Sequence, residues 1–351
     1  MGEEIDRSTP TVAGAGRRSA NEGLAALKGR LGRLRWYIGG GIALVACLAA
    51  CLAVWGPEME FPAEWGKPIG TKIDEWTLWL TVEASWLFDG IKTIVTKVLV
   101  AIEDFLLWLP WPVIILAVAL IAWKLSGRTI AILSVVALLL IGLMGRLPGG
   151  TNTLWEGSME TLALIVVSVA ISLLIGVPIG ILTSRSSLAD SFARPVLDGM
   201  QTMPSFVYLV PGILFFGLGN VPAVMATVIY AMPPAIRLTN LGIRQVSSDA
   251  VESARSFGTT PFQLLVKVQI PLALPTIMAG INQTTMMALA MVVVASLVGS
   301  GGLGEAVLRA LGRQEAGNSA IAGLAIVAIA IMIDRITQAV AKERQRVLLG
   351  G

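Results

Sequence analysis

Apolar runs of helical length recur along the chain, separated by short polar connections. WYIGGGIALVACLAACLAVW (36–55) and TLALIVVSVAISLLIGVPIGIL (161–182) each hold about 20 residues, enough at about 1.5 Å per residue to cross a hydrocarbon layer of about 30 Å. With the second extended to 160–183, similar runs stand at 111–124, 128–146, 206–218, 222–236, 276–299 and 320–340. The pattern predicts an all-α polytopic membrane protein with about eight transmembrane helices. Each run must be helical, because lipid offers no partner to a bare backbone group.

Lysine and arginine gather in 1–35, 124–128, 184–205, 237–275 and 341–351, and are sparse in 56–110, 146–159, 219–221 and 300–319. Basic residues are retained on the cytoplasmic side, so both termini are expected there. Residues 1–35 are rich in Gly, Ala, Ser and Arg and predict a mobile tail ending in Lys28, Arg30, Arg33 and Arg35. The first run is too long for a signal-peptide core and is followed by Trp55-Gly56-Pro57-Glu58, not by a small-residue cleavage site. The expected layout is the tail, a segment 36–110 holding the first helix and a Trp-rich stretch, a core over 111–341, and a short tail 342–351.

Residues 57–110 carry Trp65, Trp76, Trp79, Trp86 and Trp108 among charged residues. Helices over about 70–88 and 90–107 would be amphipathic and lie in the outer interface. Indole is favoured there as a belt, and its face also attracts quaternary ammonium, so a belt and a substrate cage are both open readings.

Composition agrees: 55% of residues are hydrophobic and 14% charged, more apolar surface than a soluble core hides. The formal net charge of +3 is scattered over loops with no basic domain, which argues against a nucleic-acid partner. Histidine is absent, and Cys47 and Cys51 lie one turn apart inside the first run, so neither a metal site nor a disulfide is expected. Gly176-Val-Pro-Ile-Gly180 has the small-xxx-small spacing that lets helices approach closely. Pro204, Pro211, Gly212, Gly217 and Gly219 predict a bent or broken fifth span.

The most specific pattern is DAVESARSFGTTPFQLLVKVQIPLALP (249–275). Asp249 is a candidate N-cap for a short helix from Ala250 to Phe257, with Glu252 where the helix dipole favours an acid. Gly258 suits a left-handed stop, and Thr259-Thr260-Pro261 suits the start of a second helix. Two short helices joined at a glycine form an elbow, whose small residues Ser253, Ala254 and Ser256 offer a knob to another protein. Pro271 and Pro275 are expected to punctuate the return into the membrane.

This layout resembles the EAA loop of binding-protein-dependent permeases: Glu252-Ser253-Ala254, three residues, Gly258, nine residues, then Val268-Gln269-Ile270-Pro271. From about Trp111 to Val340 the chain is similar to the permease subunits of glycine betaine/proline betaine uptake systems, in LDGMQTMPSFVYLVP (197–211), GNVPAV (219–224), MPPAIRLTNLGIRQV (232–246) and VKVQIPLALPTIMAGINQT (266–284). The resemblance implies a type I ABC importer permease fold (MetI-like) in the bacterial inner membrane. It implies two permease copies, two ABC ATPase subunits that bind ATP and Mg, and a periplasmic substrate-binding protein. By the same likeness, Glu252, Ser253, Ala254, Arg255, Ser256, Phe257 and Gly258 form the coupling helix docked in an ATPase cleft, with Pro271 closing the motif. The substrate class implied is a methylammonium osmolyte; betaines lead, with choline, carnitine and trimethylamine N-oxide open.

No Gly-x-x-x-x-Gly-Lys-Ser/Thr phosphate loop occurs, so no cofactor is expected in this chain and it is not itself an enzyme. VGSGGLGEAV (298–307) is expected to be a tight external turn leading into a short helix. Asn282, Gln283, Thr285 and Met286 either line a passage or bond between helices, and Phe206, Tyr208 and Phe215 are candidate aromatic faces for a methylammonium group. An ion-gradient transporter or osmotically gated channel is the competing reading. Its need for acids deep in the membrane is met only by Asp334, expected to make local contacts with Arg335 near the cytoplasmic end of the last run.

Overall fold

The computed structural model describes residues 39, 41–51, 53, 66–145 and 153–348. The expected basic tail over 1–35, Trp65 and the last three residues lie outside them. The helices are α1 (Gly41–Cys51), α2 (Gly66–Glu83), α3 (Ser85–Trp108), α4 (Trp111–Ser126), α5 (Arg128–Leu143), α6 (Leu154–Arg185), α7 (Ser187–Thr202), α8 (Leu209–Phe216), α9 (Asn220–Arg244), α10 (Ser248–Ser256), α11 (Pro261–Leu264), α12 (Ile270–Ala295), α13 (Leu303–Gly312) and α14 (Ala316–Leu348). Four helical stretches are long and apolar enough to cross a membrane: α6, α9, Pro261–Val298 and α14 up to Ala339. The count is six if the bent pairs α3–α4 (101°) and α7–α8 (112°) are each one span; α1 and α5 are shorter apolar helices. Each of the expected runs therefore falls on a helix, and the fifth is broken, with a 3-10 turn at Ser205–Tyr208 entering α8.

The chain divides into two compact units, Met1–Glu75 and Trp76–Gly351. In the first, α1 exposes Ile42, Leu44, Val45 and Leu48, the surface a helix presents to lipid. In the second, α9 is the central helix, 67% of its apolar window buried between α6 and α12. Lipid is as apolar as leucine, so this packing rests on close backbone approach. A Cβ at Gly180 of α6 would lie 2.6 Å from Thr239 Cβ and 2.8 Å from the Ile236 carbonyl of α9. On the other flank, a Cβ at Gly280 of α12 would lie 3.0 Å from Leu238 Cβ. Val224, Val228 and Met291 fill the seam with Leu164 and Val167.

Two expectations are corrected, and the connection over 184–205 carries a helix, α7, in which Leu188, Phe192 and Val196 recur every fourth residue beside the ion-paired Asp190 and Arg194. The Trp-rich stretch is more than interfacial: α3 buries Val95 and Leu99 in the main core, with Phe88, Ile91, Ile102 and Leu106 packed against it. The prolines do not interrupt the return into the membrane, since Pro271 sits in the first turn of α12, Pro275 inside it, and a π-helical stretch, Leu265–Gln269, joins α11 to α12. The glycine-rich stretch turns into a short helix, with Gly299 and Gly302 at φ 81° and 84° before α13.

Candidate functional site

The elbow stands where expected, its N-cap two residues earlier. The N-cap is Ser247, not Asp249: Ser247 has the extended backbone of a cap, and Asp249 falls in the first turn, where it still opposes the helix dipole. The α10 helix has no buried residue. Its end is closed locally: the Gly258 N–H donates to the Arg255 carbonyl at 2.8 Å, and Thr259 Oγ1 donates to the Ala254 carbonyl at 2.8 Å. Gly258 has φ +75°, the left-handed stop the sequence predicts. Beyond it, Thr260 and Gln263 form a reciprocal capping box, with Pro261 at the first helical position.

The outer surface of the elbow is a knob. Glu252, Ser253, Arg255 and Ser256 are exposed and Ala254 half-buried, while Phe257 and Phe262 are 90% and 71% exposed on the two sides of Gly258. Pro271 is half-buried at the base of α12. The elbow is tied to the span bundle where Arg185, in the last turn of α6, donates to the Pro261 carbonyl at 2.7 Å.

A polar hub not foreseen in the sequence fixes the same level of the bundle. Asp190 of α7 pairs with Arg194 at 2.6 Å and Arg244 of α9 at 3.3 Å, and accepts from Asn240 at 2.9 Å. Asn240 and Arg244 also donate to the Thr183 hydroxyl and carbonyl of α6. The Arg194 hydrogen bond, helped by Asn240 and Arg244, holds the Asp190 carboxyl below the usual carboxylate range. The ionised form is thus favoured by folding: its contribution is present above the ordinary carboxylate pKa and is lost as pH falls through the depressed one. Replacing Asp190 by Ala is expected to cost about 0.5–1.5 kcal/mol, since water takes over the exposed Arg194 and half-exposed Arg244, read as a melting-temperature deficit against wild type that narrows as pH is lowered. The i, i+4 spacing of Asp190 and Arg194 was the available signal.

The candidate path residues do not converge on one surface. Tyr208 is buried, its hydroxyl donating to the Met200 carbonyl and its ring meeting Tyr230 edge-on at 5.9 Å. Phe215 stacks on Phe88 of α3 at 4.6 Å, whereas Phe206 is exposed. Asn282 bonds to α14, accepting from Thr337 at 2.6 Å and donating to Asp334 at 3.4 Å; Thr285 is buried and bonds within its own helix. Gln283 and Met286 are exposed. Asp334 is also bound through both oxygens by Gln338, at 2.7 and 2.8 Å.

The elbow, its capped second arm and a bundle of apolar helices have the layout of a membrane permease component. Residues 172–346 match the family of binding-protein-dependent transport system inner membrane components, and the chain belongs to that family. The chain is 46% identical over 276 residues to the glycine betaine/proline betaine transport system permease protein ProW of Escherichia coli K12, spanning 79% of this chain and 76% of ProW. It is 47% identical over 277 residues to the glycine betaine/carnitine transport permease protein GbuB of Listeria monocytogenes, covering 74% of this chain and 95% of that one. The trimethylamine N-oxide transport system permease protein TmoV of Pelagibacter ubique is 36% identical over 67% of this chain and 32% of its own length. Membership makes the chain a non-catalytic inner-membrane subunit of an ABC importer, working with an ATPase and a substrate-binding protein.

Proposed function

We propose that this chain is the transmembrane subunit of an ATP-driven importer for a small methylammonium osmolyte, glycine betaine or proline betaine first. The observation that carries the reading is the exposed elbow, which has the EAA spacing and presents Phe257 and Phe262 around Gly258 with no residue of α10 buried. Two copies flank the passage, and two ATPase subunits, which hold ATP and Mg, each grip one elbow through Glu252 to Gly258. Both termini lie in the cytoplasm, a placement supported by the lysine and arginine bias of the connections. Of the candidate path residues, Phe206, Gln283 and Met286 are free to line the passage; Tyr208, Phe215, Asn282 and Thr285 hold the helices that shape it.

The test is uptake of labelled glycine betaine into proteoliposomes containing the chain, its ATPase and its binding protein. Uptake is expected to need ATP and all three components. Accumulation driven by an ion gradient with the ATPase left out would establish the rival transporter reading. Titrating the binding protein with betaine, choline and trimethylamine N-oxide ranks the substrates.

A further inference from the structure

Behind the elbow lies a cleft of about 650 Å³ that shares only Arg255 with the residues the ATPase is proposed to grip. Three guanidinium groups line it, from Arg185, Arg244 and Arg255 in the last turns of α6, α9 and α10. Ser184, Ser248 and Thr259 also line it, the Ser184 and Thr259 hydroxyls donating to the Ile181 and Ala254 carbonyls, and no carboxylate belongs to its lining. Little nearby charge offsets the three cations. Arg244 shares the single carboxylate of Asp190 with Arg194. Arg185 bonds to a neutral carbonyl, and Arg255 is exposed with no ion pair among the described residues. The α10 helix also opens on the cleft at Ser248; its cap makes no side-chain hydrogen bond, although Asp249 in the first turn offsets part of the dipole.

Like charges gathered around a cavity repel unless an anion joins them. A guanidinium fork matches the oxygens of phosphate in bidentate fashion, and three forks call for more acceptor oxygens than one carboxylate carries. The volume exceeds that of a bare phosphate, leaving room for an attached group. We propose that this cleft binds the phosphate group of a phosphate ester, from a phospholipid headgroup or a soluble metabolite. Beside it, α7, pinned to Arg244 through Asp190, exposes Leu188, Phe192 and Val196, apolar surface of the kind an acyl chain covers. Arg255 rides on the elbow and the other two arginines on the spans, so a bound phosphate ties one to the other. That consequence rests on the elbow being the coupling element; the site itself does not.

The full chain, purified in detergent, is titrated at constant ionic strength with short-chain phosphatidylglycerol, with glycerol phosphate and with inorganic phosphate. At least one probe should saturate, bind about tenfold more weakly to Arg255→Gln, the loss of one charge-assisted contact, and bind unchanged to Arg128→Gln, an exposed arginine elsewhere. Saturation by phosphatidylglycerol alone assigns a lipid; saturation by glycerol phosphate assigns a soluble ester. Absence of saturation, or equal weakening by Arg128→Gln, overturns the proposal. So does protection of Arg255 from phenylglyoxal by the ATPase subunit but by no phosphate probe. The binding assay contains no ATPase or substrate, so its failure leaves the transport reading standing.

Discussion

Gly258→Pro is expected to abolish ATP-driven uptake while the chain still inserts and purifies as wild type does. At φ +75° the backbone lies where an L-residue pays about 1–2 kcal/mol, and proline, fixed near φ −65°, cannot follow it at all. Proline also deletes the N–H that closes α10 onto the Arg255 carbonyl. Space is not the obstacle, since a Cβ at this position meets nothing within 4 Å. Gly258→Asn should therefore retain most uptake, because asparagine tolerates the left-handed region. The uptake assay reads both variants, with size exclusion as the folding control. Full transport by Gly258→Pro would remove the elbow from the mechanism.

Gly180→Leu should act on assembly itself. Even a methyl at this position would meet Thr239 Cβ at 2.6 Å and the Ile236 carbonyl at 2.8 Å, and a backbone oxygen cannot swing aside. Overpacking of this kind costs about 1–3 kcal/mol for modest insertions, and leucine adds three more carbons between α6 and α9. The expected result is a melting temperature lower by several degrees at the least, or loss of the purified protein. Gly176→Ala is the graded control: its Cβ would meet Met232 Cγ at 3.2 Å, on a side chain that can swing, and Ala235 Cβ at 3.1 Å, a milder approach than the 2.6 Å at Gly180. Equal stability of Gly180→Leu and wild type would show that α6 and α9 do not cross at this glycine.

Much of this was legible in the chain because lipid enforces simple rules. Apolar runs had to be helices, Gly176 and Gly180 had to face a partner, and a Ser-rich arm followed by Gly258 and Thr260-Pro261 had to turn. What escaped had competing signals. In α3, Phe88, Ile91, Val95, Leu99, Ile102 and Leu106 repeat every three or four residues, yet Lys92, Lys97, Glu103 and Asp104 between them read as a surface helix. Pro271 and Pro275 read as breaks, but the helix absorbs both, Pro271 directly after the π-helical stretch Leu265–Gln269 and Pro275 inside α12. Asp249 and Ser247 are both good caps, and backbone geometry chose between them. Polar residues inside a span look alike whether they face a passage or a neighbouring helix, and only the Thr337 and Asp334 contacts separate Asn282 from Gln283.

Because the second arm of the elbow runs through the π-helical stretch without a gap, Pro261–Val298 is one 38-residue rod, about 57 Å long at 1.5 Å per residue. Its far end is hydrogen-bonded across the bundle, Gly219 N–H to the Val298 carbonyl at 2.8 Å. A few degrees of tilt imposed at Pro261 would displace the opposite end by several ångströms, so under the proposed coupling this single helix reaches both ends of the bundle.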